Sequence, residues 1–321
     1  MATLHIIGNG FDLAHDIDSK YSDFKKYAWR HASHKSYYLG VLESCYPEKD
    51  IKSGELMLWS DLEHALGNLD FQQAFVIGTE DIKLDDGHGL RYQAQMEDAT
   101  EYMLLSMFGV FHELFEAWVH SINLSSAPLA NILHFDSNGL FLSFNYTETL
   151  ESIYNIPRCN IRYLHGRRNT NDKLIVGHCN NIDGDSYLPK DPAIYEYQAY
   201  RSIADVVNDE RKNVTDIILK NDDFWQQLSN IDKVVIYGHS LSDVDRPYFK
   251  QIASNINPAS EWYFSIYYQN AQERTEEIRK VLNMINYIKV APNKCHTFRC
   301  KAHIICLSNM FVNRLRPSRV A

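Results

Sequence analysis

An imidazole, a side-chain amide and two turns of small residues are the groups in this chain whose types and positions could do chemistry together. His165 closes the apolar stretch NIRYLHG, and histidine titrates near neutrality and is the commonest general base. Asn145 closes GLFLSFN. Its amide both donates and accepts, so it could orient a ligand or a water, or satisfy the backbone of its own turn. Gly8-Asn9-Gly10 follows the apolar LHII and leads into Phe11 and Asp12. Glycines there would let backbone N–H groups approach an anion at a helix N-terminus, although Leu13 stands where the GxGxxG fingerprint has its third glycine. The alternative is a tight strand-to-helix turn capped by Asp12. A carboxylate repels a pyrophosphate, so beside a nucleotide Asp12 is expected to face a ribose hydroxyl or the helix N–H groups. Gly238-His239-Ser240, in DKVVIYGHSLSDVD, reads in two ways. It is a second loop over the same ligand, or an elbow carrying Ser240 as nucleophile, with Glu261 and His296 or His303 following in triad order. The elbow needs a second small residue, and Ser242 stands where glycine is usual.

These groups need elements that bring them to one place. Short apolar runs bounded by turn residues predict strands over 3–8, 140–145, 160–164, 173–178, 232–238 and 261–268, with helical spacing over 147–155, 243–255 and 270–283. Alternating strands and helices predict an α/β fold with a Rossmann-like, mostly parallel sheet. His165, Asn145, Gly8 and Gly238 would then share the carboxyl edge, where open α/β sheets bind ligands. Residues 20–135 differ, carrying apolar residues at three- and four-residue spacing in WSDLEHALGNL and AQMEDATEYMLLSMFGVFHELFEAWVHSI. The domain reading is a discontinuous core of 1–30 and 136–310, a helical insertion over 31–135 after the first βα unit, and a basic tail over 311–321. Within the insertion, Trp59, Leu62 and Leu66 read as the buried side of an amphipathic helix. Segment 179–230 is polar, with helical pieces and loops, and is a candidate lid.

Composition narrows the function. Of 321 residues 45% are hydrophobic, so a sizeable core is available, and the net charge of −9 argues against a broad nucleic-acid surface. No apolar run reaches the ~20 residues of a membrane span, and residues 1–15 lack the basic start and long apolar stretch of a signal peptide. The expectation is a cytoplasmic protein without membrane contact. Six cysteines do not make a disulfide framework in a chain this long. Cys45, Cys159, Cys179 and Cys306 read as buried thiols. In KCHTFRCKAHIIC the residues Cys295, His296, Cys300, His303 and Cys306 crowd together without CxxC spacing, so strand and turn are expected there and no metal.

In this order, IIGNGFDLAH with a following YSDF, WSDLEHALG, SFNYTETLE, LHG and YGHSLSDVD resemble the AbiH family of bacterial abortive-infection proteins, from residue 4 to about residue 250. The resemblance implies defence against bacteriophage inside the infected cell, and it brings no established reaction. A more distant likeness is to sirtuins and the sirtuin-like NAD hydrolases of phage defence. Their first glycine loop, Asp-Phe-Arg, strand-end asparagine, His-Gly and Gly-x-Ser loop correspond to Gly8-Asn9-Gly10, Asp23-Phe24-Lys25, Asn145, His165-Gly166 and Gly238-His239-Ser240. Asn9, Lys25 and Thr147 stand where that group has alanine, arginine and aspartate, and Asp12 is an addition.

That likeness implies a sirtuin-like fold and hydrolysis of NAD, or a related nucleotide, at the nicotinamide–ribose bond. His165 would be the base and Asn145 the group positioning ribose and water. Gly8, Asn9, Gly10, Phe11 and Asp12 would hold the pyrophosphate side, and Gly238, His239 and Ser240 the adenosine side. The expected partners are the nucleotide, a phage or host protein trigger, and a second copy of the chain. Two alternatives stay open: a non-catalytic nucleotide sensor that signals through the helical insertion, and a serine hydrolase using Ser240.

Overall fold

The structure is a computed structural model that describes residues 2–46, 56–59, 61–83, 89–124, 135, 139–191, 193–299 and 313–314. Cys300, His303, Cys306 and the basic tail, apart from 313–314, lie outside the described residues.

Contacts divide the chain into two units. The first comprises 1–19, 119–175 and 213–321, and the second 20–118 and 176–212.

The first unit is built on one sheet. Its strands are β1 (Ala2–Ile7), β2 (Leu140–Ser143), β3 (Ile161–Tyr163), β4 (Ile231–Tyr237), β5 (Glu261–Ile266), β6 (Cys295–Arg299) and β7 (Asn313–Arg314), in the order β3-β2-β1-β4-β5-β6-β7. The first six are parallel, and β7 pairs antiparallel with β6. The order reverses between β1 and β4, which makes that junction a topological switch point.

Both faces of the sheet are apolar, as a parallel sheet requires. Successive side chains alternate between them. Leu4, Ile6, Leu142, Val234 and Ile236 join one buried cluster with Trp225, Tyr248, Phe249 and Met284 from flanking helices. Ile7, Phe141, Val235 and Tyr237 join a second with Phe11, Leu150 and Ile156. His5 sits on that second face, stacked on Phe141 with ring centroids 4.7 Å apart. The helices Arg246–Asn255 and Ala271–Ile288 fall where the three- to four-residue spacing puts them.

One expected strand does not form. Residues 173–178 carry the apolar run of a strand, yet the described pairing there is a single bridge, His178 to Arg211. Cys45 and Cys295 are buried, while Cys159 and Cys179 are exposed, against the reading of both as buried thiols.

The second unit is helical. It holds most of the helix Gly89–Ser121, which has 33 residues and so extends about 50 Å. Phe24 lies among Trp59, Phe111, Phe115 and Trp118, with centroids 5.3 to 5.7 Å away. Leu62 and Leu66 are buried, as the WSDLEHALG spacing implies. Glu63 of that motif pairs at 2.6 Å with Lys212, whose side chain is 0% exposed. Removing one member of a buried ion pair costs about 3–5 kcal/mol, because it strands the other charge in low dielectric. Glu63→Ala is therefore expected to lower the stability of the helical unit by that order, read as an earlier urea transition by tryptophan fluorescence.

Candidate functional site

Strand register brings the four chemistry-bearing stretches to one edge. Ile7 lies level with Ser143 and with Tyr237, and Ser143 lies level with Tyr163. One residue further, Gly8, Phe144, Gly238 and Leu164 leave the sheet together. Gly8 donates its N–H to Tyr237 O at 2.9 Å, Phe144 to Ile7 O at 2.9 Å and Leu164 to Ser143 O at 3.0 Å.

The glycine turn is closed on its neighbour. Gly10 donates its N–H to Gly238 O at 2.7 Å, and Phe11 donates to Gly8 O at 2.9 Å. A Cβ on Gly8 would stand 2.6 Å from His239 Cα, and one on Gly10 2.8 Å from Gly238 Cα. Gly238 has φ +60, and a Cβ there would stand 2.2 Å from Phe11 N. What comes close to the bare backbone of Gly8-Asn9-Gly10 is thus the backbone of Gly238 and His239, across the switch point. The Asn9 amide is tied to Ser19, donating to its carbonyl at 2.8 Å and accepting from its hydroxyl at 2.6 Å.

Beneath this turn lies a polar network. Asp12 is 1% exposed. It accepts from Thr147 Oγ1 at 2.5 Å and from Thr149 Oγ1 at 2.8 Å. The Asn145 amide donates to Gly8 O at 3.1 Å and also faces Asp12, and Asn145 Oδ1 has no hydrogen-bond partner among the described residues. Phe11 packs into the second sheet cluster, and His15 below it donates to Phe11 O at 2.7 Å while its other nitrogen meets Tyr154 Oη. Asp12 thus joins the GNGFDLAH stretch to the SFNYTETLE stretch in the fold.

Burial raises the Asp12 carboxyl above its ordinary value of 3.8, outweighing the stabilisation of its charge by Thr147, Thr149, Asn145 and His15. The folded chain thus binds this proton more tightly than the unfolded chain. Stability from this group is fully present below pH 3.8 and is lost as pH rises toward the folded value. Asp12→Asn removes that slope. Urea midpoints measured upward from pH 4 are expected to fall with pH more steeply for the wild type than for Asp12→Asn.

Beside the network stands a second cluster. His165 is 3% exposed, and Gly166 after it has φ +81, where a Cβ would meet Lys173 O at 2.5 Å. Asp245, at the start of the helix Arg246–Asn255, places Oδ1 3.9 Å from His165 Nε2 and Oδ2 3.5 Å from His239 Nε2. Ser242 Oγ donates to Oδ2 at 3.3 Å. Phe144 stands edge-on to both imidazoles, at 5.4 and 4.4 Å between centroids. Leu241 N–H donates to His239 Nδ1 at 2.9 Å. A backbone N–H can only donate, so Nδ1 is bare and the neutral His239 carries its proton on Nε2, toward Asp245.

A carboxylate facing an imidazole in a dry setting orients the ring and stabilises its charged form, which is how a general base is held ready. Sequence reading missed Asp245. The available signal was the Arg246-Pro247 step, a helix start that turns the preceding residue back toward the strand ends.

Ser240 is exposed and stands apart from the other two members of its supposed triad. Glu261 is level with Lys233, four residues and about 13 Å short of the carboxyl edge. His296, level with Val235, is two strands and about 10 Å across. Glu261 and His296 therefore stand away from the loop that carries Ser240, and His303, the other histidine of that reading, lies outside the described residues.

Compared with curated proteins and with solved structures, the chain matches none. A family model described as bacteriophage abortive infection AbiH matches residues 4–266, a span that takes in the glycine turn, the Asp12 network, His165 and Asp245. The chain belongs to the AbiH family of bacteriophage abortive infection proteins.

Proposed function

We propose that this protein acts in antiphage defence by hydrolysing NAD, or a related nucleotide, at the nicotinamide–ribose bond, depleting it in the infected cell. Family membership supports the role in abortive infection. The observation that carries the reaction is the buried pairing of His165 with Asp245 at the carboxyl edge, next to the switch point where doubly wound sheets take dinucleotides. The sirtuin-like order of glycine turn, strand-end asparagine, His-Gly and Gly-x-Ser points the same way.

Cleavage breaks the C–N bond with the electron pair leaving on nicotinamide, and an oxocarbenium-like ribose accepts water. His165 takes the water proton, so NAD and water give nicotinamide, ADP-ribose and a proton. The Oδ1 acceptor of Asn145 positions the ribose or the water.

In this reading, the engaged N–H groups of Gly8, Gly10 and Phe11 and the burial of His165 would correspond to a closed site before activation. A killing activity has to be silent before infection, so opening between Gly8–Gly10 and Gly238–Ser240 belongs to activation. The test is release of nicotinamide from ring-labelled NAD by extracts of infected cells containing the protein. Release above that of control extracts supports hydrolysis. Saturable NAD binding without release would make the site a sensor.

No helix among the described residues is long and apolar enough to cross a membrane.

A further inference from the structure

The cluster at the carboxyl edge holds two imidazoles and one carboxylate, and the carboxylate is the member that touches both. We infer that Asp245 is a positioning residue for His165: it holds the imidazole proton on Nε2, while His239 serves as the second donor that keeps the carboxylate in place. The functional meaning rests on the reading of His165 as base given above, but the physical content concerns the resting protein alone.

The argument starts from His239. Its Nδ1 is committed to the Leu241 N–H, and Leu241 itself has φ +57, a left-handed conformation that bulky residues rarely adopt. The turn that follows β4 is thus bent so that His239 turns its Nε2–H toward Asp245 Oδ2. Ser242 adds a donor to the same oxygen, which leaves Oδ1 as the oxygen directed to His165 Nε2. At 3.9 and 3.5 Å the contacts act by charge rather than as direct hydrogen bonds. Catalytic contacts of this kind are often long in a resting enzyme and tighten with substrate.

Two tyrosine rings also stand beside His165: Tyr248, on the helix that Asp245 caps, and Tyr146, from the turn after β2, at 6.0 and 6.3 Å between centroids. Asp245 is a carboxylate that both imidazoles face. A carboxylate within about 4–6 Å moves a titration midpoint by about one unit or more, toward the charged pair.

The test uses the full chain with 15N in its 14 histidine rings, read by long-range 1H–15N correlation and assigned with His165→Gln and His239→Gln. In the wild type the neutral forms of both rings are expected to carry the proton on Nε2. In Asp245→Asn both midpoints are expected to fall by about one pH unit or more. A proton on Nδ1 of either neutral ring in the wild type, or midpoints unmoved in Asp245→Asn, would overturn the inference. If Asp245→Asn fails to fold, the wild-type tautomers still decide. No nucleotide enters these spectra. A failure to cleave NAD would therefore remove the proposed reaction and leave the role of Asp245 standing, and the reverse outcome would do the opposite.

Discussion

Gly238→Ala is expected to destabilise the sheet unit by about 2–5 kcal/mol, the sum of roughly 1–2 for a left-handed L-residue and roughly 1–3 for overpacking. Two independent features of the position add. The backbone has φ +60, and the new Cβ would fall 2.2 Å from Phe11 N and 2.3 Å from Gly10 C. Those atoms belong to backbone pinned by the Gly10 N–H to Gly238 O bond and by Asp12 below, so neither side yields cheaply. Gly40 is the internal comparison. It lies inside the helix Ser36–Ser44 with nothing near its Cβ position, so Gly40→Ala is expected to stabilise by about 0.5–1 kcal/mol. Urea midpoints of the two variants should move in opposite directions. Equal midpoints for Gly238→Ala and wild type would mean that the two turns are not locked together.

His165→Ala is expected to lower nucleotide cleavage by about 10²–10⁴-fold, the usual contribution of a positioned general base. Folding should survive better than activity. The ring is buried at a strand end rather than in the middle of a sheet, and its packing partners Phe144, Tyr146 and Tyr248 remain to line the gap. His165→Asn keeps part of the volume and a polar tip without the base, and separates lost chemistry from lost packing. Comparable losses in both variants, with urea midpoints near wild type, would assign the effect to the imidazole.

Much of this architecture is legible in the residues themselves. LHII, LFLS, IRY, DKVVIY and WYFSI announce their strands because β-branched and aromatic runs suit a sheet covered on both faces. Once those strands are parallel, the groups following each one must share an edge, and Gly8, Asn145, His165 and Gly238 do.

What the glycines are for was harder to read. Bare backbone at 8 and 10 announces a close approach without saying by what, and a neighbouring loop meets the demand as well as a phosphate does. KLIVGH fails differently. Its local preference is for extended chain, but a strand also needs an edge to pair with. Tyr146 Oη donates to Ile175 O at 2.8 Å and Ile175 N–H donates to His165 O at 2.9 Å, contacts with loops instead of a strand. The Asp12–Thr147–Thr149 and His165–Asp245–His239 contacts join residues far apart along the chain. A single sequence carries no record of such pairing, although every member sits within a stretch that carries the family likeness.

The most direct measurement of the central proposal is the time course of cellular NAD after phage infection, in cells carrying either the intact protein or His165→Ala at equal abundance. The expected result is a fall in NAD with the intact protein and a level trace with the variant. Protection from phage with NAD unchanged, or equal depletion with and without the His165 imidazole, would contradict it.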